Sequence, residues 1–370
     1  QVKAQDDSGA VDTSPAMLTL PVANQPPEIE WAVNANPGVT DPNVEHVTFP
    51  TRTFVWTVSD LDGVETISRI RWALDDTTNW NYIAGDATSK TLREIPVGYH
   101  TFYVQAIDTA GAKSNLLMYP DSVDNTTANG WRVREPVGDV LLVDDFEDDT
   151  GYTRDFYTTI LDSLYGVSNY TIYQARDGVK AFPTSVTDQT ALFGYFKTII
   201  WYHVNKEPRI IDVDQALRTF LENGGNIFVS SLRTDPSYTF TSIDSIKLMS
   251  SMRRLSGNLT LDFIDPVTTD STVILPQFEL KTEVNYTIAY NVYCFWPGLL
   301  DFGATAKTLI RLREPRNQFE NWTGTPPVAE LFQPTPTSGK SVFMSLQFNR
   351  FTANNNTYQV MDFILNQVFE

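Results

Sequence analysis

The chain carries one dense cluster of groups able to do chemistry. Asp144, Asp145, Glu147, Asp148 and Asp149 put five carboxylates within six residues. Carboxylates this close repel one another unless water or a cation screens them. With no histidine beside them, they suit a hard cation such as Ca2+ or Mg2+ rather than zinc. The alternative is a solvated acidic loop whose charge favours the start of a following helix. A second acidic pattern, Asp60-x-Asp62-Gly63-x-Glu65, has the opening of a calcium loop without the twelve-residue spacing to a closing acid. Asp60 and Asp62 would share an ion with Asp108 if their loops meet at one pole, and a simple Asp-Gly turn fits the same residues. The candidate metal ligands are therefore Asp60, Asp62, Asp108, Asp144, Asp145 and Asp148, with Ca2+ as the ion; nothing in the sequence requires a cofactor.

Nucleophiles and bases are few. The chain has three histidines, His46, His100 and His203, and one cysteine, Cys294. His203 ends the apolar run 198–202, at the strand edge where open α/β sheets bind ligands. Ser231 follows the apolar run 226–230 and would need His203 as its base. Cys294 stands among aromatics in Tyr293-Cys294-Phe295-Trp296 and reads as a buried packing residue. Trp80, Tyr82, Tyr293, Phe295 and Trp296 could stack on sugar rings, although core packing accounts for them as well. Catalytic residues are thus none beyond the weak pair His203 and Ser231.

The positioning elements follow from composition and pattern. The 370 residues, 42% hydrophobic and 19% charged, suffice for two or three domains with real cores. A net charge of −18 excludes a nucleic-acid partner, which needs clustered Lys and Arg, and disfavours anionic lipid. One cysteine allows no intrachain disulfide, which is ordinary for a secreted bacterial protein. No apolar run reaches the roughly 18 residues of a membrane span. The chain opens on Gln1 rather than Met, so the absence of a leader says little. Asn-x-Thr sequons occur at Asn125, Asn169, Asn258, Asn285, Asn321 and Asn355, as expected by chance in a chain rich in Asn and Thr.

An internal repeat sets the architecture. Residues 2–10, VKAQDDSGA, match residues 104–112, VQAIDTAGA, at five of nine positions and at a spacing of 102 residues. That is the size of one β-sandwich domain. Residues 1–25 then read as the closing hairpin of an upstream copy plus a linker stiffened by Pro26-Pro27, in a protein that extends upstream. Residues 26–136 form the complete domain, with strands expected over 28–33, 52–59, 67–74, 82–83, 89–95, 100–108 and 113–118, and with Trp31, Trp56 and Trp72 as core anchors. Ser59-Asp60-Leu61-Asp62-Gly63, Arg71-Trp72-Ala73-Leu74-Asp75 and the run 98–108 carry a resemblance to immunoglobulin-like and fibronectin type III-like repeats of bacterial surface proteins. Such repeats imply spacers.

At Asp139 the pattern changes. Val140-Leu141-Leu142-Val143 is an unbroken apolar strand of a sheet buried on both faces. A helix over 154–165, strands over 170–174 and 198–202, a helix over 213–222 capped by Asn223-Gly224-Gly225, and a strand over 226–230 give an alternating βα order. A strand over 341–347 and an amphipathic helix over 358–368 close the chain. Between them, an insertion over about 238–334 has a helix expected near 243–252 and several β-like stretches. The runs 139–145, 198–202, 220–231 and 341–347 resemble a flavodoxin-like sheet, and more closely a class I glutamine amidotransferase-like domain. The fold class is therefore multidomain, an Ig-like/fibronectin III-like β-sandwich plus an α/β doubly wound (flavodoxin-like) domain over 137–370. The resemblance implies a cysteine on a strand-to-helix elbow. The sequence there is Ser230-Ser231-Leu232-Arg233, with no Gly-x-Cys-x-Gly or Gly-x-Ser-x-Gly. The expectation is a non-enzymatic secreted or cell-surface structural and interaction module, whose partners are other surface proteins, copies of itself or a glycan, with no direct membrane insertion. The alternatives are a secreted hydrolase dependent on a divalent cation and a carbohydrate-binding protein.

Overall fold

A computed structural model describes residues 4–11, 13–14, 23–32, 46–120, 130–146, 151–175, 182–203, 209–231, 248–253, 258–263, 278–281, 291–295, 307–312, 314, 327–333, 335–344, 348–350 and 356–370. Before residue 140 the strands are β1 (Glu28–Trp31), β2 (His46–Thr48), β3 (Arg52–Ser59), β4 (Ile67–Leu74), β5 (Asn81–Ala84), β6 (Ser89–Leu92), β7 (Gly98–His100), β8 (Phe102–Asp108), β9 (Leu117–Tyr119) and β10 (Trp131–Val133). Then follow β11 (Val140–Asp145), α1 (Tyr152–Tyr165), β12 (Thr171–Gln174), α2 (Val186–Gly194), β13 (Thr198–His203), α3 (Asp214–Glu222) and β14 (Asn226–Ser231). The last part holds β15 (Leu248–Arg253), β16 (Asn258–Phe263), β17 (Phe278–Lys281), β18 (Asn291–Phe295), β19 (Lys307–Leu312), β20 (Pro327–Phe332), β21 (Ser341–Met344) and α4 (Asn356–Phe363). Among the described residues sheets outnumber α-helices, consistent with a multidomain protein rich in β-sandwich. The chain divides into two compact units. Residues 1–32, 56–89 and 101–119 form the first, and residues 33–55, 90–100 and 120–370 the second.

In the first unit, β5-β4-β8-β9 form an antiparallel sheet, and β1 pairs antiparallel with the C-terminal half of β3. The ring of Phe102, fully buried, lies 6.2 Å from Trp72 of its own sheet and 6.5 and 6.3 Å from Trp56 and Trp31 of the other. Period-two alternation brings these rings to one interface, and full burial, as at Phe102 and Trp56, is worth about 1.5–3 kcal/mol per side chain. Of the three tryptophans expected as core anchors, Trp56 is buried, whereas Trp31 and Trp72 are half-buried at the edge of this cluster.

The sequence repeat is also a repeat of backbone. Asp6 N donates to Ala10 O at 3.0 Å and Asp108 N to Ala112 O at 3.1 Å. Gly9 N donates to Asp6 O and Gly111 N to Asp108 O, with φ of 84° and 90° at the two glycines. Only glycine takes that conformation without strain, which is why it recurs after 102 residues.

The second unit is organised by a nine-stranded sheet, β12-β11-β13-β14-β21-β20-β19-β16-β17. The first five strands are parallel and the last four run antiparallel. Leu141, Val143, Ile199, Trp201 and Ile227 meet α2 and α3 on one face, through Leu192, Phe193, Leu217 and Phe220. Val140, Leu142, Ile200, Tyr202 and Phe228 meet α1 and α4 on the other, through Tyr157, Leu161, Val360 and Met361. Both faces are covered, so the strands read as continuous apolar runs. α3 ends in a Schellman motif: Gly225 N donates to Phe220 O, Gly224 N to Leu221 O, and Gly224 has φ +91°.

Residues ahead of the α/β segment are built into this unit. Phe49 joins the α2/α3 core against Tyr195 and Phe196. Asp188, in the first turn of α2, accepts Arg52 Nη1 at 3.2 Å and Thr53 N at 2.8 Å on Oδ2, and the Thr53 hydroxyl at 2.6 Å on Oδ1. The Arg52 and Asp188 side chains are both 1% exposed. Trp131, fully buried, donates to Thr48 Oγ1 and packs edge-on against Phe54.

Several elements differ from the sequence reading. Residues 248–252, expected in a helix, lie in β15, whose ladder is supplied by β18, a partner no local window reveals; residues 243–247 lie outside the described ones. The strand expected over 100–108 is interrupted at Thr101, whose N donates to Asp75 Oδ1. The strand expected over 113–118 reduces to a bridge at Lys113 and to β9, because the Ser114 hydroxyl accepts Ala106 N and its carbonyl accepts Gln105 Nε2. The closing helix starts at Asn356 and its last turn, 364–368, widens to π geometry, with Phe369 N donating to Ile364 O. β2, β10 and α2 have no counterpart in the sequence reading.

Two predictions follow from buried charge. Asp188→Ala leaves Arg52 uncompensated and should cost ~3–5 kcal/mol, read as a lower thermal midpoint; Arg52→Met with Asp188→Leu should regain part of it. Glu330 of β20 is buried, and burial alone pushes its carboxyl from 4.5 to about 7. The folded chain then keeps a proton that the unfolded chain releases, so this group's contribution is full below pH 4.5 and is lost as pH rises towards 7. Glu330→Gln should remove that slope from the midpoint-versus-pH curve.

Candidate functional site at the C-terminal sheet edge

β11 and β13 are neighbours whose chains leave in opposite directions. β11 leads through α1 to β12 on one side, and β13 leads through α3 to β14 on the other. α1 packs on one face and α3 on the opposite face, so the direction of winding switches between β11 and β13. Ligands bind at such switch points. Register aligns the strand ends in two rows: Asp144 with Tyr202 with Ser230, and Asp145 with His203 with Ser231. Neighbouring residues of a strand face opposite ways, so the rows belong to different faces.

The first row lies on the α1 face. Arg154 Nε and Nη2 each approach Asp144 Oδ2 at 2.7 Å, and Phe146 N donates to Asp144 Oδ1 at 3.3 Å. The Tyr157 and Tyr202 rings stack at 4.4 Å and 5°. Burial pushes both phenols up, and the Asp144 charge adds to this at Tyr202. Ser230 Oγ accepts Phe348 N at 3.0 Å. Asp144 is thus matched by a guanidinium.

The second row is more buried. Asp145 is fully buried, and its Oδ2 accepts Trp201 Nε1 at 3.0 Å and Arg209 N at 2.8 Å. His203 Nδ1 lies 3.6 Å from Asp145 Oδ2 and 3.3 Å from the Asp145 carbonyl. The hydrogen bond of the imidazole is thus to the Asp145 backbone carbonyl, with the carboxylate beside it but beyond hydrogen-bond distance. Ser231 is the β14 register partner of His203. Trp201, Arg209 and Arg154 were not read as site residues from sequence; each acts across 10 to 64 positions, beyond any local pattern.

The remaining candidates fall elsewhere. Asp148, with Glu147 and Asp149, lies outside the described residues. Cys294 is a β18 residue in register with Ser250. Trp80 and Tyr82 each carry a guanidinium over the ring, from Arg71 at 4.1 Å and Arg69 at 4.7 Å. Trp296 lies outside the described residues. Asp60, Asp62 and Asp108 belong to the first unit, where two of them grip the segment that precedes β1. Gln25 N donates to Asp62 Oδ2 at 2.8 Å and Asn24 Nδ2 to Asp108 Oδ2 at 2.6 Å. Asp108 Oδ1 accepts Ala112 N, and Asp60 Oδ1 accepts Asp62 N. The Asn24 amide, first among its donors, holds the Asp108 carboxyl below the usual range. Asp6 makes the same turn bond, accepting Ala10 N at 2.9 Å. Among the described residues no three His, Cys, Asp or Glu side chains gather as a metal-binding group.

No helix among the described residues is long and apolar enough to cross a membrane. No family model matches the chain, and no curated protein sequence matches it. Solved structures similar to parts of it include the fibronectin(III)-like modules of Clostridium thermocellum CbhA, at 18% identity and TM-score 0.20 over 29% of this chain and 97% of theirs. The SrpA adhesin from Streptococcus sanguinis is similar at 14% identity and TM-score 0.18, over 35% of this chain and 72% of the adhesin. Alpha-L-fucosidase isoenzyme 2 from Paenibacillus thiaminolyticus is similar at 10% identity and TM-score 0.32, over 64% of this chain and 34% of the fucosidase; the chain thus spans about a third of that protein.

Proposed function

We propose that the chain is a non-enzymatic secreted or cell-surface module. Residues 1–25 close one Ig-like repeat and provide a linker, residues 26–136 form the next repeat, and residues 137–370 form a terminal flavodoxin-like, amidotransferase-like domain for binding or assembly. The observation that carries the reading is the grip of Asp62 and Asp108 on Gln25 and Asn24. It turns a Pro-stiffened linker into a fixed joint, and Asp6 repeats the turn bond of Asp108 one period upstream. A stalk needs such joints. Partners under this reading are other surface proteins, copies of the chain or a glycan, and not nucleic acid. On this reading Asp62 and Asp108 act through internal donors rather than through Ca2+.

A second reading, a secreted hydrolase, is favoured by one observation, the contact of His203 with Asp145.

Asp108→Ala should free Asn24 and raise the rate of limited proteolysis within 22–28 several-fold, with little change in the thermal midpoint. Unchanged cleavage would remove the support for a fixed joint. Millimolar Ca2+ should leave the midpoint of the wild-type chain where it was; a clear rise would restore the carboxylates as ion ligands.

A further inference from the structure

We infer that the outer face of the β5-β4-β8-β9 sheet binds a carboxylate-bearing glycan, an inference that rests on the surface-module reading and names the partner's chemistry. The inner face is the one closed by Phe102 and Trp72. Alternation therefore turns Arg69 and Arg71 of β4, and Gln105 and Ile107 of β8, outward. Register sets these residues in rows. Ala84, Arg69, Ile107 and Lys113 form one, and Tyr82, Arg71 and Gln105 form the next. Neither row holds a carboxylate, in a chain with 45 acidic and 27 basic residues. Among the described residues, Arg69, Arg71 and Lys113 enter no ion pair. Three cations thus share one sheet face without an internal counter-charge.

The face is also held ready. The Arg71 guanidinium lies over Trp80 at 4.1 Å and that of Arg69 over Tyr82 at 4.7 Å. Arg71 Nε donates to Gln105 Oε1 at 2.9 Å, joined there by Nη2, and Gln105 Nε2 donates to the Ser114 carbonyl at 2.6 Å. Gln105 is buried, so this relay fixes the Arg71 fork and reduces the side-chain freedom that a ligand would have to remove. A guanidinium pairs best with a planar carboxylate. Tyr82, 52% exposed, adds an aromatic surface for the C–H face of a sugar ring. A glycan that carries carboxylates answers both features, whereas an acidic peptide needs only the cations. The net charge of −18 repels polyanions at long range. At physiological salt, exposed charges more than about 8 Å apart are largely screened, so the contact is governed by the charges of the face itself.

The test is calorimetric titration of the full folded chain with a galacturonic-acid oligosaccharide, beside its fully methyl-esterified form and polyglutamate. The expected result is binding of the acidic oligosaccharide that weakens at high salt and falls on the order of 10-fold in Arg69→Ala. Arg69 is exposed, so this variant should keep the wild-type thermal midpoint; if it does not fold, Lys113→Ala, also at an exposed position, carries the same expectation. No binding overturns the inference, as does equal binding of the esterified form or wild-type affinity in the folded variant. Polyglutamate bound as tightly as the oligosaccharide also overturns it, because the face then serves acidic peptides. These results leave the joint at Asp62 and Asp108 untouched, so the module reading survives them. Cleavage of the oligosaccharide during the titration instead sinks the non-enzymatic reading and leaves the binding face standing.

Discussion

The second unit is tied together by one buried charge pair. Arg52 and Asp188 are both almost wholly removed from water, and Asp188 spends its remaining lone pairs on the backbone and hydroxyl of Thr53. Such a pair contributes little net stability, because desolvation offsets most of the attraction. What it contributes is discrimination: a shifted β3, or an α2 rotated by one residue, leaves a bare charge in an apolar core. The Phe49 contacts with Tyr195 and Phe196 and the Thr51–Tyr195 hydroxyl pair lie around the same junction. Apolar packing there supplies the energy, and the ion pair selects a single geometry for it.

The two aspartates that end β11 show how one sequence feature divides into two environments. Asp144 faces a guanidinium and two stacked phenols; Asp145 faces an indole, an amide and an imidazole. Read as a string, they belong to a single acidic cluster. Strand alternation turns them to opposite faces of the sheet, so their charges are answered by different partners.

Much of the fold was legible where a local pattern and the tertiary environment agree. β11, β13 and β14 are apolar runs because both sheet faces are covered, and α3 announces its end through Asn223-Gly224-Gly225. The repeat announced itself through Asp and Gly at a turn only they can make cheaply. α2 was missed although Ser185-x-x-Asp188 before an apolar run is a helix-start signature; Asp188 proved to bind β3, 135 residues away, rather than cap its own helix. β15 was misread because its strand state depends on β18. At the candidate site, the position of His203 at a strand end was legible, but its neighbour Asp145 and the donors that fix that carboxylate come from other strands and loops, and only register reveals them.

The Arg52–Asp188 pair spans 136 residues of chain. On a ribosome, Arg52 leaves the exit tunnel long before α2 exists. Until Asp188 emerges, β3 has an exposed cation where its neighbours are apolar, so the strand that belongs to the repeat by sequence cannot complete its burial on its own schedule. Synthesis therefore imposes an order. Residues 1–32, 56–89 and 101–119 can condense around Phe102 first, while the stretch around Phe49 and Arg52 waits in water for a segment made seconds later, at roughly 5–20 residues per second. A pause or truncation between these two points strands that apolar edge, which makes the interval from Arg52 to Asp188 the window in which a chaperone would have most to protect.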